Sequence, residues 1–444
     1  MLASVIAIRF ELDVQSSMMN SNLPVQRNLL EQMHAALTVA QRALLRDICT
    51  LAEGNGIGLY IVGGFVRDLM LGGAAREVDF AVEGDAIVFT QTVASRLGGR
   101  VTPHRRFGTA KWRLPRELAT ACGWTVLDFV MARSEGYARP AALPVVTRAA
   151  IRDDMLRRDF TMNTLAICLD AEHAGDVLDS CGGAADLELR LLKVMHPRSF
   201  EDDPTRMLRA VRFAERLGCE LAPGTLRLFE LACAHVAALS GDRVRHELQL
   251  VFEEKHPAKV LARLDGFGLL AAIHPALADT ADAWLVEKLS AAEAAGGTAQ
   301  VGWLLWLYRL SGEAAQAVAQ RLRLPVRITA ALQQAQLVGG QCNPGRKLAA
   351  SEIVARLAGV QDWALAALVI AVDDDQLRSN IQRYRADLRH VKPLVTGHVL
   401  RARGLAAGPQ YSKVLARLRD AWLDGNIHDA AGELALLDQL LLQP

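Results

Sequence analysis

Residues 59–72, LYIVGGFVRDLMLG, combine a short apolar run, a glycine pair and a second apolar segment that carries one arginine. The run Leu59 to Val62 predicts a β-strand, and a helix is expected to begin at about Phe65. Backbone N–H groups at a glycine turn and at a helix start can bind an anion, so Gly63 and Gly64 indicate a phosphate site. Glycine pairs between a strand and a helix are also common for steric reasons alone.

Residues 76–84 read REVDFAVEG and place two acids, Glu77 and Asp79, two positions apart. If Val78 to Val82 form a strand, its apolar side chains face a core while Glu77 and Asp79 share the opposite face. Their Cβ atoms would then lie roughly 6.6 Å apart, which allows both carboxylates to bind shared cations. An ordinary half-buried strand shows the same alternation. Because the glycine turn and Arg67 lie just upstream, phosphate and metal are predicted for one place.

A third carboxylate, Asp128, lies in another alternating run, VLDFVMAR, at residues 126–133. An acid on a neighbouring strand could complete a metal site or accept the proton of an attacking hydroxyl. An exposed strand acid without a catalytic role is an equally good interpretation.

Residues 155–167, MLRRDFTMNTLAI, contain two arginines, an aspartate and an asparagine close together: Arg157, Arg158, Asp159 and Asn163. Arginines supply fixed forks for phosphate oxygens, and Asp or Asn can accept hydrogen bonds from ribose hydroxyls. The alternative is a helix start with charged residues in its first turn.

Residues 200–218, FEDDPTRMLRAVRFAERLG, place Asp203 before Pro204 in the pattern of a helix N-cap followed by proline at the first helical position. Arginines then recur every three or four residues and would line one helical face. They are Arg206, Arg209, Arg212 and Arg216. The pattern indicates an anionic or base-edge partner, since an Asp and an Arg on a helix can present an acceptor and donors to a nucleotide base.

Bulk composition predicts an ordinary globular protein of two to four domains, because the 444 residues are 51% hydrophobic and 22% charged. Disordered and fibrous classes are excluded. The apolar run Trp363 to Val372 is about half the ~20 residues of a membrane span. Seven cysteines without a CxxC pair favour reduced thiols in a cytoplasmic protein. The net charge of +1 neither supports nor excludes a nucleic-acid partner.

The composition changes at about residue 190, from an α+β pattern to an all-helical one. Before this point an amphipathic helix is predicted from Leu29 to Glu53, beside strands at Leu59 to Val62, Val78 to Val82, Ala110 to Leu114 and Val126 to Met131. After it a stripe of apolar residues follows a cap at Ser240: Val244, Leu248, Val251 and Phe252. Helix breaks are expected at residues 266–268, 294–297, 339–345 and 404–409.

The motifs GGFVRD, EVD, RRDFTMN and DDPTRMLRAVRF, in this order, resemble the class II tRNA nucleotidyltransferase and poly(A) polymerase family over about residues 58–265. Residues 397–425 resemble the C-terminal segment of its bacterial members. The resemblance implies an α+β, polymerase-β-like head that holds Mg²⁺, followed by an all-α neck, body and tail. The expected boundaries are an N-terminal extension at 1–25, a catalytic head at 26–190, a base-recognising neck at 191–265, a body at 266–385 and a tRNA-binding tail at 386–444.

Family members add C, C and A to the 3′ end of tRNA without a nucleic-acid template, or only some of that triplet, or poly(A). The expected activity is full CCA addition from CTP and ATP with release of pyrophosphate. The segment that distinguishes these activities is expected near Ser134 to Arg148. A non-catalytic RNA-binding protein is the alternative from another class.

The resemblance also implies residue roles. Glu77 and Asp79 would bind metal with Asp128 as third carboxylate, although the family usually has Asp at the first position. Nucleotide binding would fall to Gly63, Gly64, Arg67, Arg157, Arg158, Asp159, Asn163, Asp203, Arg206, Arg209 and Arg212, with Asp203 and Arg206 pairing with the base. Candidate tRNA contacts, or else solvated helix faces, are Arg401, Arg403, Lys413, Arg417 and Arg419.

Overall fold

The structure is a computed structural model and describes residues 27–73, 78–136, 145–340, 348–406 and 408–442. These residues form two compact units, one ending at Leu239 and the other beginning at Ser240. The first contains a mixed sheet with helices, and the second is helical. This agrees with the predicted fold class, whereas the finer division into head, neck, body and tail stays a prediction.

The strands of the first unit are short, in keeping with the interrupted apolar runs of the sequence. They are β1 (Gly58–Val62), β2 (Asp79–Glu83), β3 (Arg100–His104), β4 (Thr109–Arg113), β5 (Val126–Met131), β6 (Arg133–Gly136), β7 (Val145–Arg148), β8 (Ala166–Cys168), β9 (Val177–Leu178), β10 (Leu191–Leu192) and β11 (Glu220–Leu221). The four predicted strands are confirmed to within one residue at each end.

Seven of these strands form one sheet in the order β3-β4-β5-β2-β1-β8-β9. Among the described strand pairs of this sheet, β2 with β5 is parallel and the others are antiparallel. The remaining four strands form two small pairs, the hairpin of β6 with β7 and the parallel pair of β10 with β11.

The first unit also contains α-helices. They are α1 (Leu30–Ala36), α2 (Val39–Gly54), α3 (Gly64–Met70), α4 (Ala86–Leu97), α5 (Arg116–Cys122), α6 (Ile151–Leu156), α7 (Gly183–Glu188), α8 (Ser199–Asp202), α9 (Thr205–Leu217) and α10 (Pro223–Ala232). One sheet face packs against α4, where Phe80 stacks on Phe129 at 4.8 Å and Phe89 meets Phe129 edge-on at 5.8 Å.

The predicted single helix from Leu29 to Glu53 is wrong in one respect, because the chain leaves the helix at Leu37 and Thr38. Thr38 starts a new helix with a capping box: its side chain accepts from the N–H of Gln41, and the Gln41 side chain accepts from the N–H of Thr38. The break therefore has a local cause that the apolar spacing did not reveal.

The second unit consists of helices α11 (Gly241–Phe252), α12 (Pro257–Gly266), α13 (Leu269–Ile273), α14 (Ala283–Ala294), α15 (Ala299–Leu307), α16 (Gly312–Arg321), α17 (Val326–Gly340), α18 (Ala350–Leu357), α19 (Asp362–Ala371), α20 (Asp375–Ala386), α21 (Gly397–Ala402), α22 (Pro409–Leu423) and α23 (Ala430–Leu442). The predicted apolar stripe of α11 is buried, and Ser240 caps this helix as expected. Helix α15 is central, with Trp303 and Trp306 packed on Phe252.

The last helices of the chain are joined through one buried acid, Glu433, which is 0% exposed. Its carboxylate accepts hydrogen bonds from the backbone N–H groups of Leu394 at 3.0 Å and Val395 at 2.8 Å, and from Trp422 Nε1 at 2.9 Å. Three donors to a buried carboxylate offset the cost of its desolvation.

Of the described helices, none is long and apolar enough on its own to cross a membrane. Helices α18 and α19 together meet the length and composition of a span but bend by 111° between them.

Candidate active site

Three of the candidate residues belong to one row that crosses the sheet. Asp79 of β2 is paired in register with Val62 of β1 on one side and with Asp128 of β5 on the other, and Asp128 is paired with Lys111 of β4. Paired residues project from the same face, and neighbouring strands lie about 4.8 Å apart. The structure thus brings Asp79 and Asp128 together, next to the Gly63–Gly64 turn that follows Val62.

The acidic face is only partly open, which corrects the expectation that this side of β2 faces outward. Ala81, two residues after Asp79, is buried with Val62 and Ala166 under Ile151 and Met155 of α6. Helix α6 therefore closes one side of the face, while the Asp79–Asp128–Lys111 side remains half-exposed.

The donor set suits a hard cation, because two carboxylates are paired on one face and Asp128 already contacts a positive charge. Lys111 Nζ lies 2.7 Å from Asp128 Oδ2. Glu77 falls in residues 74–77, outside the described residues, so its role in the site stays a prediction. Within the described ranges no group of three His, Cys, Asp or Glu side chains is close enough to hold a metal ion. Nucleotide phosphates could supply the remaining oxygen ligands that Mg²⁺ prefers.

Gly63 is required by the backbone of the turn, since its φ of 71° lies in the region that side chains rarely adopt. A Cβ at this position would also lie 3.2 Å from Arg158 Nη1. The turn therefore packs directly against one of the predicted phosphate-binding arginines.

A chain of hydrogen bonds joins helix α3 to helix α9. Arg67 Nη1 donates to Asn163 Oδ1 at 2.9 Å, and Asn163 Nδ2 donates to Asp159 Oδ1 at 3.0 Å. Arg209 completes it with two bonds to Asp159 Oδ2, from Nε at 2.9 Å and from Nη2 at 2.5 Å. Four predicted nucleotide-binding residues are thus held in one network.

Asp159 is ionised in this network in spite of its burial. Burial opposes its charge, but the Arg209 guanidinium and the hydrogen bond from Asn163 outweigh it and lower the pKa of Asp159 to about 2. The carboxylate is consequently a fixed negative charge that orients Arg209 and Asn163.

Arg157 and Arg158 follow the end of α6 rather than opening a helix, so the alternative interpretation of a helix start is wrong. Both donate to Asp154, which is 1% exposed: Arg157 Nη2 to Oδ1 at 2.6 Å and Arg158 Nη2 to Oδ2 at 2.9 Å. Burial opposes ionisation of Asp154, yet Arg158 and Arg157 hold its pKa below the usual range. Arg157 also contacts Glu135 of β6 at 2.9 Å.

Asp154 and Glu135 were missed from the sequence. The signal for Asp154 was its spacing of three and four residues from the two arginines, which places all three on one helical side. Glu135 belongs to the hairpin whose connecting residues 137–144 lie outside the described residues, together with most of the predicted activity-determining segment.

The prediction that Asp203 is the N-cap and Pro204 the first helical residue is wrong by one position, because α9 begins at Thr205 and Pro204 occupies the N-cap position without a side-chain hydrogen bond. Asp203 Oδ1 accepts from the backbone N–H of Thr205 at 3.0 Å and from its hydroxyl at 2.6 Å. Arg206 is 5% exposed and donates to Ser199 Oγ at 2.6 Å and to the carbonyl oxygen of Arg157 at 2.9 Å. The first turn of α9 is thereby attached to the Arg157–Arg158 segment.

The predicted arginine face of α9 surrounds a single aromatic ring, Phe213. Guanidinium carbons of Arg209, Arg212 and Arg216 lie 5.3, 5.0 and 5.7 Å from its centroid, and that of Arg67 lies 5.5 Å away. Cation–π contacts of this kind help a protein to keep guanidinium groups close together.

The candidate tRNA contacts all lie in the second unit. Arg401, Arg403, Lys413 and Arg417 are exposed there, on or next to α21 and α22. Arg403 is paired with Asp438, and Arg417 lines an open cavity of 380 Å³ with Asp420 and Asp424. Their exposure fits both of the interpretations left open by the sequence.

Two segments of the chain match models of known families. Residues 59–193 match the poly A polymerase head domain, and residues 218–280 match the probable RNA and SrmB-binding site of polymerase A. The first match contains every candidate residue of the sheet and of the Arg157–Asn163 segment.

Curated relatives extend the similarity along most of the chain. An A-adding tRNA nucleotidyltransferase of Geobacter sulfurreducens is 33% identical over 449 residues. The match covers 95% of this chain and 49% of the relative, so the chain spans about half of that protein's length. An A-adding tRNA nucleotidyltransferase of Halalkalibacterium halodurans is 30% identical over 90% of this chain and 93% of its own length. A CC-adding tRNA nucleotidyltransferase of Deinococcus radiodurans is 33% identical over 69% of this chain and 77% of the relative.

Solved structures show the same fold. The apo form II of a CCA-adding enzyme matches with a TM-score of 0.74 and 26% identity, over 94% of this chain and all of that one. The Thermotoga maritima CCA-adding enzyme complexed with tRNA matches with a TM-score of 0.69 and 25% identity over the same shares.

Proposed function

Because the chain belongs to the class II tRNA nucleotidyltransferase and poly(A) polymerase family, we propose that it extends the 3′ end of tRNA from nucleoside triphosphates without a nucleic-acid template. The observation that carries this proposal is the row of Asp79 and Asp128 beside the Gly63 turn, which puts a candidate cation site next to a candidate anion site. That combination is what nucleotidyl transfer requires: carboxylates at the reacting phosphate and donors at the leaving pyrophosphate.

In this mechanism Asp79 and Glu77 would hold Mg²⁺, with Asp128 as the third carboxylate. When bound, the metal ions lower the pKa of the attacking RNA hydroxyl and neutralise the leaving oxygens. The chain itself orients the substrates. The Gly63 turn and Arg158 would bind the triphosphate, and the ionised Asp159 keeps Arg209 and Asn163 in place beside it.

The base would be selected by Asp203 and Arg206 at the start of α9. Support comes from their rigidity: Asp203 is fixed by Thr205, and Arg206 is fixed by Ser199 and the backbone of Arg157. A base reader of this kind needs donors and acceptors whose positions do not change between one nucleotide and the next.

Addition of the terminal A is the finer activity that we favour. Two relatives that match at least 90% of this chain at 30% identity or more are named A-adding enzymes. Full CCA addition, the prediction from the sequence motifs, remains the second candidate. It is favoured by the fold match over 94% of the chain with solved CCA-adding enzymes. Transfer RNA in the cytoplasm would be the partner, and CTP and ATP the nucleotides to be distinguished.

Purified protein incubated with Mg²⁺ and single nucleotides decides between these activities. The tRNA substrates should end before the triplet, after one C and after two. Terminal-A addition predicts incorporation of ATP into tRNA ending in CC and no incorporation of CTP into any of the three. Ordered incorporation of CTP and then ATP would establish CCA addition, and a long A tail would establish poly(A) synthesis. Binding of tRNA without any incorporation would overturn the proposed function.

A further inference from the structure

Resting on the proposed function, we propose that Lys111 is a binding residue for the phosphodiester next to the 3′ end of the RNA. In the free protein its ammonium group forms an ion pair with the Asp128 carboxylate and competes with the divalent cation for that carboxylate. When RNA binds, Lys111 transfers from the carboxylate to the phosphodiester and leaves Asp128 to the metal.

The ammonium group of Lys111 contacts Asp128 directly. Lys111 and Asp128 are register partners on β4 and β5, and Lys111 Nζ lies 2.7 Å from Asp128 Oδ2. The Lys111 side chain is 53% exposed, so its ammonium group can reach an incoming ligand. An exposed ion pair of this kind contributes little to stability, which leaves the charge available for binding.

The groups of the site follow a fixed order across the sheet. The Gly63 turn continues β1, the carboxylates lie on β2 and β5, and Lys111 lies on β4. With about 4.8 Å between strands, Lys111 is roughly 10 Å from Asp79 on the side away from the turn. The proposed triphosphate site and Lys111 thus flank the carboxylates on opposite sides.

The direction of attack follows from this order. In nucleotidyl transfer the attacking and leaving oxygens are in line, on opposite sides of the reacting phosphate. If the leaving pyrophosphate is held at the Gly63 turn, the RNA hydroxyl approaches over β5 and β4. The nearest phosphodiester of that RNA strand then passes Lys111, which carries the opposite charge.

Binding of the metal and binding of RNA are coupled because Asp128 and Lys111 are paired with each other in the free protein. Asp128 cannot bind both the ammonium group and a divalent cation through the same oxygen, so metal binding displaces Lys111. A displaced ammonium group is stabilised by the RNA phosphodiester. RNA and divalent cation should therefore bind cooperatively in the wild-type protein, with Lys111 as the origin of the coupling.

The test compares Lys111→Gln with a matched control, Arg113→Gln. Arg113 is also exposed and cationic and lies on the same face of β4, but its register partner on β5 is Val126. Binding of Mn²⁺, followed by electron paramagnetic resonance without nucleotide, is measured with and without tRNA. Steady-state KM values for tRNA and for ATP are measured in parallel, and circular dichroism checks the fold.

In the absence of tRNA, Lys111→Gln should bind Mn²⁺ several-fold more tightly than the wild type does. Addition of tRNA should no longer increase the Mn²⁺ affinity of this variant. Its KM for tRNA should rise about tenfold while its KM for ATP changes less than about twofold, since one charge-assisted contact is lost. Lys111→Arg should restore the KM for tRNA, and Arg113→Gln should resemble wild type.

If the wild type is active and Lys111→Gln behaves like Arg113→Gln, the role assigned to Lys111 is wrong while the proposed function stands. A rise in the KM for ATP instead of tRNA would place Lys111 on the triphosphate and overturn the assigned role as well. A wild type that adds no nucleotide to tRNA overturns the proposed function and, with it, this inference.

Discussion

Asp159 is an ionised side chain that holds several candidate nucleotide-binding residues together. It accepts from the backbone N–H of Phe160 and from Asn163 with one oxygen, and from Arg209 with the other. Because Asn163 is in turn bonded to Arg67, loss of the Asp159 charge releases side chains on two helices. The predicted nucleotide-binding surface is therefore expected to lose this order only in acid, as the pH falls towards 2.

We predict that Asp159→Asn lowers the free energy of unfolding at neutral pH and that its deficit relative to wild type shrinks in acid. A carboxyl whose pKa is lowered to about 2 stabilises the fold above its unfolded pKa and loses this contribution as pH falls towards 2. Between pH 5 and pH 3 the deficit should decrease by about 1 kcal/mol. Urea unfolding measures it.

Asp47→Asn is the control for that measurement, because Asp47 is an exposed acid within α2. Its unfolding free energy should follow the wild-type value at both pH values. A deficit of Asp159→Asn that is unchanged from pH 5 to pH 3 would show that the pKa of Asp159 is not lowered in the folded protein, and a deficit that grows would show that it is raised.

Residue types that bind phosphate or metal were recognisable in the sequence, whereas their internal partners were not. Arg157 and Arg158 stand out as an arginine pair, but the buried position of Asp154 depends on packing of α6 against the sheet. The contact of Lys111 with Asp128 depends on strand register, which alternation along one strand cannot supply. For Glu77 the two-ligand interpretation stays a prediction.

The turn between β1 and α3 contains the candidate anion site and a glycine that the turn backbone requires. We predict that Gly63→Ala raises the KM for nucleoside triphosphates at least tenfold, because its Cβ would displace Arg158 Nη1 from a distance of 3.2 Å. The positive φ adds strain of about 1 to 3 kcal/mol, which thermal unfolding would detect. Steady-state kinetics with ATP measure the effect.

Gly72→Ala separates the two causes, since Gly72 has a φ of 70° at the end of the same helix but open space around its missing Cβ. It should share the strain without the loss of nucleotide affinity. An equal rise in KM for both variants would mean that strain alone is responsible and that Arg158 does not contact the nucleotide.

Helices and strands with regularly spaced apolar residues were predicted well. Their ends depend on polar side chains that lie outside this apolar pattern. The strands β1, β2 and β5 lie where the apolar alternation predicts them, although β2 also buries Ala81 on its other face. The break at Thr38 arises from a capping box, and α9 begins after Pro204 because Asp203 bonds to Thr205. Caps compete with propensity over one or two residues, which is why boundaries are the weaker aspect of a sequence-based prediction.

The candidate nucleotide-binding residues and the candidate tRNA contacts of the predicted tail lie in different compact units. All candidate nucleotide-binding residues lie before Ser240, and all candidate tRNA contacts of the tail lie after it. The tail is fixed internally by Glu433, so its exposed cations are carried by an ordered set of helices. If this division is correct, removing tail charges should weaken tRNA binding without changing nucleotide affinity.

We therefore predict that the double variant Lys413→Gln, Arg417→Gln binds tRNA about tenfold more weakly at low salt and keeps the wild-type KM for ATP. Each lost phosphate contact should also reduce the slope of log affinity against log salt by about 0.7 to 0.9. Arg327→Gln, which removes an exposed cation of α17 elsewhere in the same unit, serves as the control. Fluorescence anisotropy of labelled tRNA at several salt concentrations measures both quantities. A wild-type slope in the double variant, or an equal loss in Arg327→Gln, would identify Lys413 and Arg417 as solvated helix residues.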